Sequence, residues 1–243
     1  KLTKNPDYRL FDILYNSLPD THKQILTTQY RMIENIGNLI SKVFYGGIID
    51  TGCNNDEKRH GLSRDVGKSI VWFDTSANKK KSQKRTKGGS YINEEEKRII
   101  LEILDDLKKT GELKGLDIGI STGYSGQKEL LRKSIKATEL DKIASKIDIN
   151  TLDAFQGREN DIIIYSTVRT RDSIGFQKEK ERVNVAFSRA KKLLIVCGDK
   201  NFFYNFDDQD NKFVEIIDYI SEGEECEIIQ CDGGKLFERE SNS

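Results

Sequence analysis

Five short apolar runs, with helix-period segments between most of them, restrict this chain more than any other feature. They are "SIVWFD" (Ser69–Asp74), "LDIGIST" (Leu116–Thr122), "IDINTL" (Ile147–Leu152), "DIIIYST" (Asp161–Thr167) and "LLIVCGD" (Leu193–Asp199). Runs of this length and composition read as strands. The stretch from Arg31 to Tyr45 places Met32, Ile33, Ile36, Ile40, Val43 and Phe44 along one helical face. Asn93 followed by Glu96 resembles a helix N-cap with an acid at its third position, and Ile99, Ile100, Ile103, Leu104 and Leu107 continue as a core-facing stripe. Further helices are expected over Ser125–Ile135, Lys178–Ala190 and Lys212–Ile220. Short apolar strands alternating with amphipathic helices imply an α/β domain, a mostly parallel sheet between two layers of helices. The long loops are expected at 50–68 and 75–90.

A chain of 243 residues, 36% hydrophobic and 33% charged, is long enough for one large or two small cores. Its apolar runs are too short to span a bilayer, and no basic-then-apolar leader opens it, so a cytoplasmic location without a membrane partner is expected. Cys53, Cys197, Cys226 and Cys231 lack CxxC spacing and His neighbours, which favours reduced thiols over a metal site. The 40 basic and 40 acidic side chains cancel, but they are segregated. Thr75–Ser90 holds six Lys or Arg and no acid, whereas Asp207–Ser243 holds twelve acids against three bases. The basic stretch "NKKKSQKRTK" is either a phosphate-contacting surface or a solvated loop.

Ligands of open parallel sheets bind beyond the carboxyl ends of the strands, so the residues following strands are the place to look. Three clusters stand out: "LTTQYRM" with Tyr30 and Arg31, "TLDAFQGRE" with Gln156, Gly157 and Glu159, and "RVNVAFSRAKK" with Arg182 and Arg189 on the rim of a buried stripe. An arginine at such a rim can aim a planar fork of donors at a phosphate, or simply cap a helix or pair with a surface acid.

In order along the chain, "LTTQYRM", "IGISTGYSGQKELL", "INTLDAFQGRENDIIIYSTVRT" and "IGFQKEKERVNVAFSRAKKLLIVCGD" resemble successive motifs in the second RecA-like domain of superfamily 1B helicases, the group that includes senataxin and the nonsense-mediated-decay helicase. The resemblance runs from about Arg9 to Phe203. It implies a RecA-like three-layer fold over residues 1–206, with 207–243 adding a helix, a strand and an acidic tail packed on or trailing the same domain. It also implies ATP, with Mg²⁺, in a cleft between two such domains. By motif match, Tyr30 packs on the adenine, Glu159 bonds the ribose, Gln156 and Gly157 face the cleft, and Arg31 and Arg189 reach the γ-phosphate as catalytic residues. Thr122, Tyr124 and Thr151 fall at positions that contact single-stranded DNA or RNA, with Tyr124 a candidate for base stacking.

Several departures accompany the resemblance. Gly123 stands for the family's usual Pro, Ile33 and Glu34 for His-Pro, and Ser188 for a frequent Thr. The phosphate-cradling pattern G-x-x-x-x-G-K-[ST] is also lacking. Its nearest candidate, "GLSRDVGKS" (Gly61–Ser69), has five residues between the glycines and runs into a strand where a helix must start. The phosphate loop and the Mg²⁺ ligands are therefore expected in a first RecA-like domain of the same parent chain, and this half alone is expected to be inactive. Two readings compete: a RecA-like module without motor activity that binds nucleic acid or docks a protein, and a different nucleotide-binding enzyme such as a small NTPase, which the failed phosphate loop disfavours.

Overall fold

The computed structural model describes residues 10–24, 26–62, 68–110, 113, 115–142, 146–152 and 159–236. Gln156 and Gly157 therefore lie outside the described residues, as do Ser63–Gly67 of the rejected phosphate loop. The chain opens with α1 (Leu10–Ser17), then β1 (Thr28–Gln29), α2 (Glu34–Tyr45) and β2 (Asp50–Thr51), the two short strands pairing in parallel. Next come α3 (Asn55–Lys58), β3 (Ile70–Asp74) and an antiparallel hairpin of β4 (Lys84–Arg85) and β5 (Tyr91–Ile92). Alternation follows through α4 (Glu94–Thr110), β6 (Asp117–Thr122), α5 (Ser125–Ala137), β7 (Lys146–Thr151) and β8 (Asn160–Ser166). The chain continues with α6 (Lys180–Phe187), β9 (Ala190–Gly198), α7 (Lys200–Tyr204), α8 (Phe213–Glu222) and β10 (Cys226–Gln230).

Six strands form one sheet in the order β10-β3-β9-β8-β6-β7, every pairing parallel. Helices cover both faces, and the strands show it residue by residue. In β3, Ile70 and Trp72 join the core beneath α2, α6 and α8, while Val71 and Phe73 join the core beneath α4 and α5. Ile163 and Tyr165 of β8 face the first core, and Ile162 and Ile164 the second. Each such side chain contributes about 1.5–3 kcal/mol on burial, which explains why the central strands read as unbroken apolar runs. Trp72 satisfies its indole by donating to the Gly198 carbonyl at 3.1 Å.

The C-terminal segment is integral to this core. Phe213, Ile216, Ile217 and Ile220 of α8 pack with Trp72 and Phe187, and β10 adds the outermost strand beside β3. The basic stretch between β3 and α4 is also built into the fold: the Gln83 backbone N–H donates to the Thr170 hydroxyl at 3.2 Å, Gln83 Oε1 accepts from the Thr170 backbone N–H at 3.0 Å, and Lys81 pairs with Asp199 at 2.8 Å.

The α4 cap forms as expected on one side only. Asn93 accepts from the backbone of Glu95 and Glu96 at 3.1 and 3.2 Å. The Glu96 carboxylate, however, turns into the core and accepts from the Val168 backbone N–H at 2.9 Å and the Ser166 hydroxyl at 2.6 Å. All four cysteines are free thiols.

Candidate functional site

Strand register divides the candidate residues between the two edges of the sheet. Asn160 and Ala190 are paired at the amino ends of β8 and β9, and the Asn160 N–H donates to the Arg189 carbonyl at 3.1 Å. Glu159 and Arg189, each immediately preceding its strand, therefore sit side by side at the amino edge. Arg31 joins them from the turn after β1: its Nε donates to Glu159 Oε2 at 2.6 Å and its Nη1 to the Ser188 carbonyl at 3.3 Å. The expectation that these residues follow strands is thus corrected for Glu159 and Arg189. Helix α6 delivers Arg189 into the start of β9, so the amino edge is where its side chain emerges.

The Arg31 turn is held by Gln29, which sequence reading passed over. Its Oε1 accepts from the Arg31 and Met32 backbone at 2.9 and 2.8 Å, while its Nε2 donates to the Met32 carbonyl and the Thr51 hydroxyl at 2.9 and 2.8 Å. Gly37 permits this arrangement, because a Cβ there would overlap Thr51 Oγ1 and lie 2.6 Å from Gln29 Nε2. Tyr30 lies against Gly52 yet is 66% exposed, leaving its ring open to a planar ligand.

At this edge Glu159 pairs with Arg31, and the Arg189 guanidinium stands close enough to feel both charges. Partial burial lowers the Arg189 pKa from its ordinary value, the neighbouring Arg31 charge lowers it further, and Glu159 opposes both. Arg189 Nε is buried without a hydrogen-bond partner among the described residues. An unmatched buried donor beside surplus positive charge is suited to an anion with several acceptor oxygens. The donor set does not suit Mg²⁺, which requires oxygen ligands, since the one carboxylate here is already engaged by Arg31. Among the described residues, no group of three or more His, Cys, Asp or Glu is placed to hold a metal ion.

Thr122, Tyr124 and Thr151 lie at the opposite edge. Thr122 is in register with Thr151 of β7 and Ser166 of β8, so all three close the carboxyl ends of their strands. With about 3.3 Å of rise per residue over β8, the two edges are roughly 20 Å apart. Thr122 is buried with its hydroxyl unmatched among the described residues, and Thr151 is half-buried. Tyr124 is only 4% exposed, enclosed by Tyr91 and Phe176 at ring-centroid distances of 5.7 Å each. Its ring is not presented for stacking, because Phe176, 48% exposed, lies in front of it. Sequence reading missed Phe176, since an aromatic in "IGFQ" looks like any core residue.

An all-parallel α/β sheet layered between helices, with motif residues divided between its two edges, is a RecA-like domain. A family model described as an AAA domain matches residues 7–201. The chain belongs to this family, in its superfamily 1 helicase branch. It is 32% identical over 237 residues to the uncharacterized ATP-dependent helicase MJ0104 of Methanocaldococcus jannaschii, covering 92% of this chain and 33% of that protein. Helicase SEN1 of Saccharomyces cerevisiae is 35% identical over 183 residues, covering 72% of this chain and 8% of that protein. The regulator of nonsense transcripts 1 homolog of Neurospora crassa is 32% identical over 185 residues, covering 72% and 16%. The chain thus spans a third or less of these relatives. A solved structure, the C-terminal domain of a possible DNA helicase from a Lactobacillus, matches 70% of this chain and 88% of its own at 13% identity and a TM-score of 0.42, which adds nothing to the fold described above. Among the described residues, no helix is long and apolar enough to cross a membrane.

Proposed function

We propose that this chain is the second motor domain of an ATP-dependent helicase. It supplies Arg31 and Arg189 to a nucleotide held mainly by a phosphate-loop domain and contacts single-stranded DNA or RNA at the far edge of its sheet. The observation that carries this reading is the amino-edge cluster: two arginines, one carboxylate, and an Arg189 Nε without a partner among the described residues. Without nucleotide, Glu159 holds Arg31. When the domains close on ATP, the γ-phosphate takes over as the acceptor for both guanidiniums, Glu159 is released toward the ribose, and Tyr30 covers the adenine. The arginines then neutralise charge building on the transferred phosphoryl group. Mg²⁺ would come with ligands from the other domain. Because the arginines enter from one domain and the phosphate loop from the other, hydrolysis follows closure, and closure displaces the nucleic-acid edge.

The test uses a protein joining this chain to a phosphate-loop domain. Arg189→Ala should lower its ATPase rate by about 10³-fold. Nucleotide-free binding to single strands should be unchanged, because the substitution is at the opposite edge. Arg31→Ala should behave alike, and the double variant should lose less than the product of the single losses if both brace one phosphoryl group. The 243-residue chain alone should hydrolyse no ATP above a protein-free blank. Hydrolysis that survives Arg189→Ala, or magnesium-dependent turnover by the chain alone, refutes the assignment.

A further inference from the structure

The nucleic-acid edge contains a feature that no motif supplied. Behind Phe176 lies an aromatic stack: Tyr124 against Phe176 at 52° and Tyr91 against Tyr124 at 83°. Two guanidiniums lie against these rings, Arg169 Cζ at 4.3 Å from the Tyr91 centroid and Arg182 Cζ at 5.2 Å from the Phe176 centroid, while Phe176 stays 48% exposed. A cavity of about 730 Å³ opens beside the three rings, lined also by Lys178 and Lys180 and by the acids Glu179, Glu181 and Asp210. Phe176 also lies over the carboxyl edge itself. A Cβ built at Gly123, which follows Thr122, would be 3.8 Å from Phe176 Cβ and 3.9 Å from Leu152 Cδ1, the residue after Thr151.

An exposed phenylalanine is unremarkable when it stands alone and mobile. This one is fixed. The next residue, Gln177, is buried and donates to the Thr167 and Ile174 carbonyls at 3.0 and 3.1 Å while accepting from the Tyr165 hydroxyl at 2.8 Å. The preceding residue, Gly175, has φ +63°, and a side chain there would overlap the Tyr124 hydroxyl. Arg169 ties down the approach by donating to the Ser173 and Arg171 carbonyls at 2.7 and 3.2 Å. A large ring is thereby held rigid, half in solvent, at the rim of a cavity. The segment leading into and through the β4–β5 hairpin, bonded to the start of α5 through Ser90 and Gly126, presents Lys79, Lys80, Lys84, Arg85 and Lys87 to solvent, a run of charge that suits a polyanion.

We propose that Phe176 is a stacking platform for one nucleobase of the bound single strand, with Tyr124 and Tyr91 as its rigid backing and Arg182 lying along the ring. This rests on the reading of the carboxyl edge as the nucleic-acid face and names the residue that holds a base there. Stacking accepts any base, so the subsite gives affinity without sequence preference.

The test compares the wild-type chain with Phe176→Ala, Phe176→Leu and Phe176→Trp on a labelled single-stranded oligonucleotide and on an abasic strand of equal length, by fluorescence anisotropy over a salt series. Alanine and leucine should weaken binding to the normal strand about tenfold, tryptophan should retain it, and none should change binding to the abasic strand or the salt slope. Circular dichroism should show all four proteins folded, since the ring is half exposed. Equal loss on both strands, or no loss on the normal strand, overturns the stacking role while leaving the nucleic-acid face in place. Failure of the wild-type chain to bind either strand overturns the underlying reading instead.

Discussion

Glu96 makes the stability of this domain depend on pH in an unusual direction. Its carboxyl group is fully buried, and desolvation pushes its pKa up to about 8. Hydrogen bonds from Ser166, Val168 and Thr167 pull the other way without cancelling burial, and the Asp199 charge adds to the rise. In the unfolded chain the same group returns to about 4.5. Between these values the folded state keeps a proton that the unfolded state has released. The folded pKa is the raised one, so this contribution is fully present below about pH 4.5 and is lost as pH climbs through 8. The slope is about 1.4 kcal/mol per pH unit, and the loss between pH 5.5 and 7.5 is on the order of 3 kcal/mol.

Glu96→Gln isolates this contribution. The amide is neutral at every pH, keeps an oxygen for the Val168 N–H and brings a donor for the Ser166 hydroxyl. Urea unfolding can be followed through Trp72, the one tryptophan and fully buried, at half-unit steps from pH 5.5 to 8. Other titrating groups are common to both proteins, so the difference between their pH slopes reports Glu96. The wild type should lose about 3 kcal/mol more than the variant across the range. Parallel slopes would show that the carboxyl group ionises in the folded state as readily as in water, and the description of a dry, protonated Glu96 would be wrong.

Two further outcomes follow from the same geometry. Neutralising the exposed Lys79, Lys80, Lys84, Arg85 and Lys87 should flatten the salt dependence of single-strand binding, each lost phosphate contact removing about 0.7 from the log–log slope; an unchanged slope returns the hairpin to a solvated loop. Gly37→Ala sets about 1 kcal/mol of gained helix propensity against the displacement of Gln29 and Thr51, and the clash should win, lowering the urea midpoint and weakening the Tyr30–Met32 turn; a raised midpoint would mean the Gln29 contact yields freely.

The sheet was legible because its central strands are buried on both faces and so appear as unbroken apolar runs: β3, β6 and β8 fall within a residue of the runs that announced them, and β9 begins three residues before its run. The β4–β5 hairpin was not legible, since two-residue strands in a polar basic loop show no periodicity, and their position depends on Gln83 meeting Thr170 from 87 residues away. Glu96 was read as half of a capping box because spacing reports a position on the helix and not the direction of the carboxylate. Its distant partners stand at the end of β8 and just beyond it, Ser166, Thr167 and the strained Val168 with φ +69°, and no local pattern points there. The arginine cluster was legible as a set of residues, whereas its edge was misjudged: a general rule for open sheets favours carboxyl ends, but Glu159 and Arg189 each stand one residue before a strand. Tyr124 and Phe176 exchanged prominence for a similar reason, because following a strand end does not determine which of two rings lies outermost.

Placing the two candidate sites at opposite edges gives the domain a mechanical character. Thr151 ends β7 at the carboxyl edge and Glu159 precedes β8 at the amino edge, so one short motif reaches both. Between the edges, Ile162 to Tyr165 of β8 and Leu193 to Cys197 of β9 are fully buried and fill both cores. A close-packed sheet of this kind transmits displacement and does not absorb it. Movement of the Arg31–Glu159–Arg189 cluster toward a phosphate must therefore carry Thr122, Thr151 and Phe176 with it as one body. In the motor proposed above, stepping along a strand needs only the hinge to a neighbouring domain, and the interior of this domain need not rearrange at all.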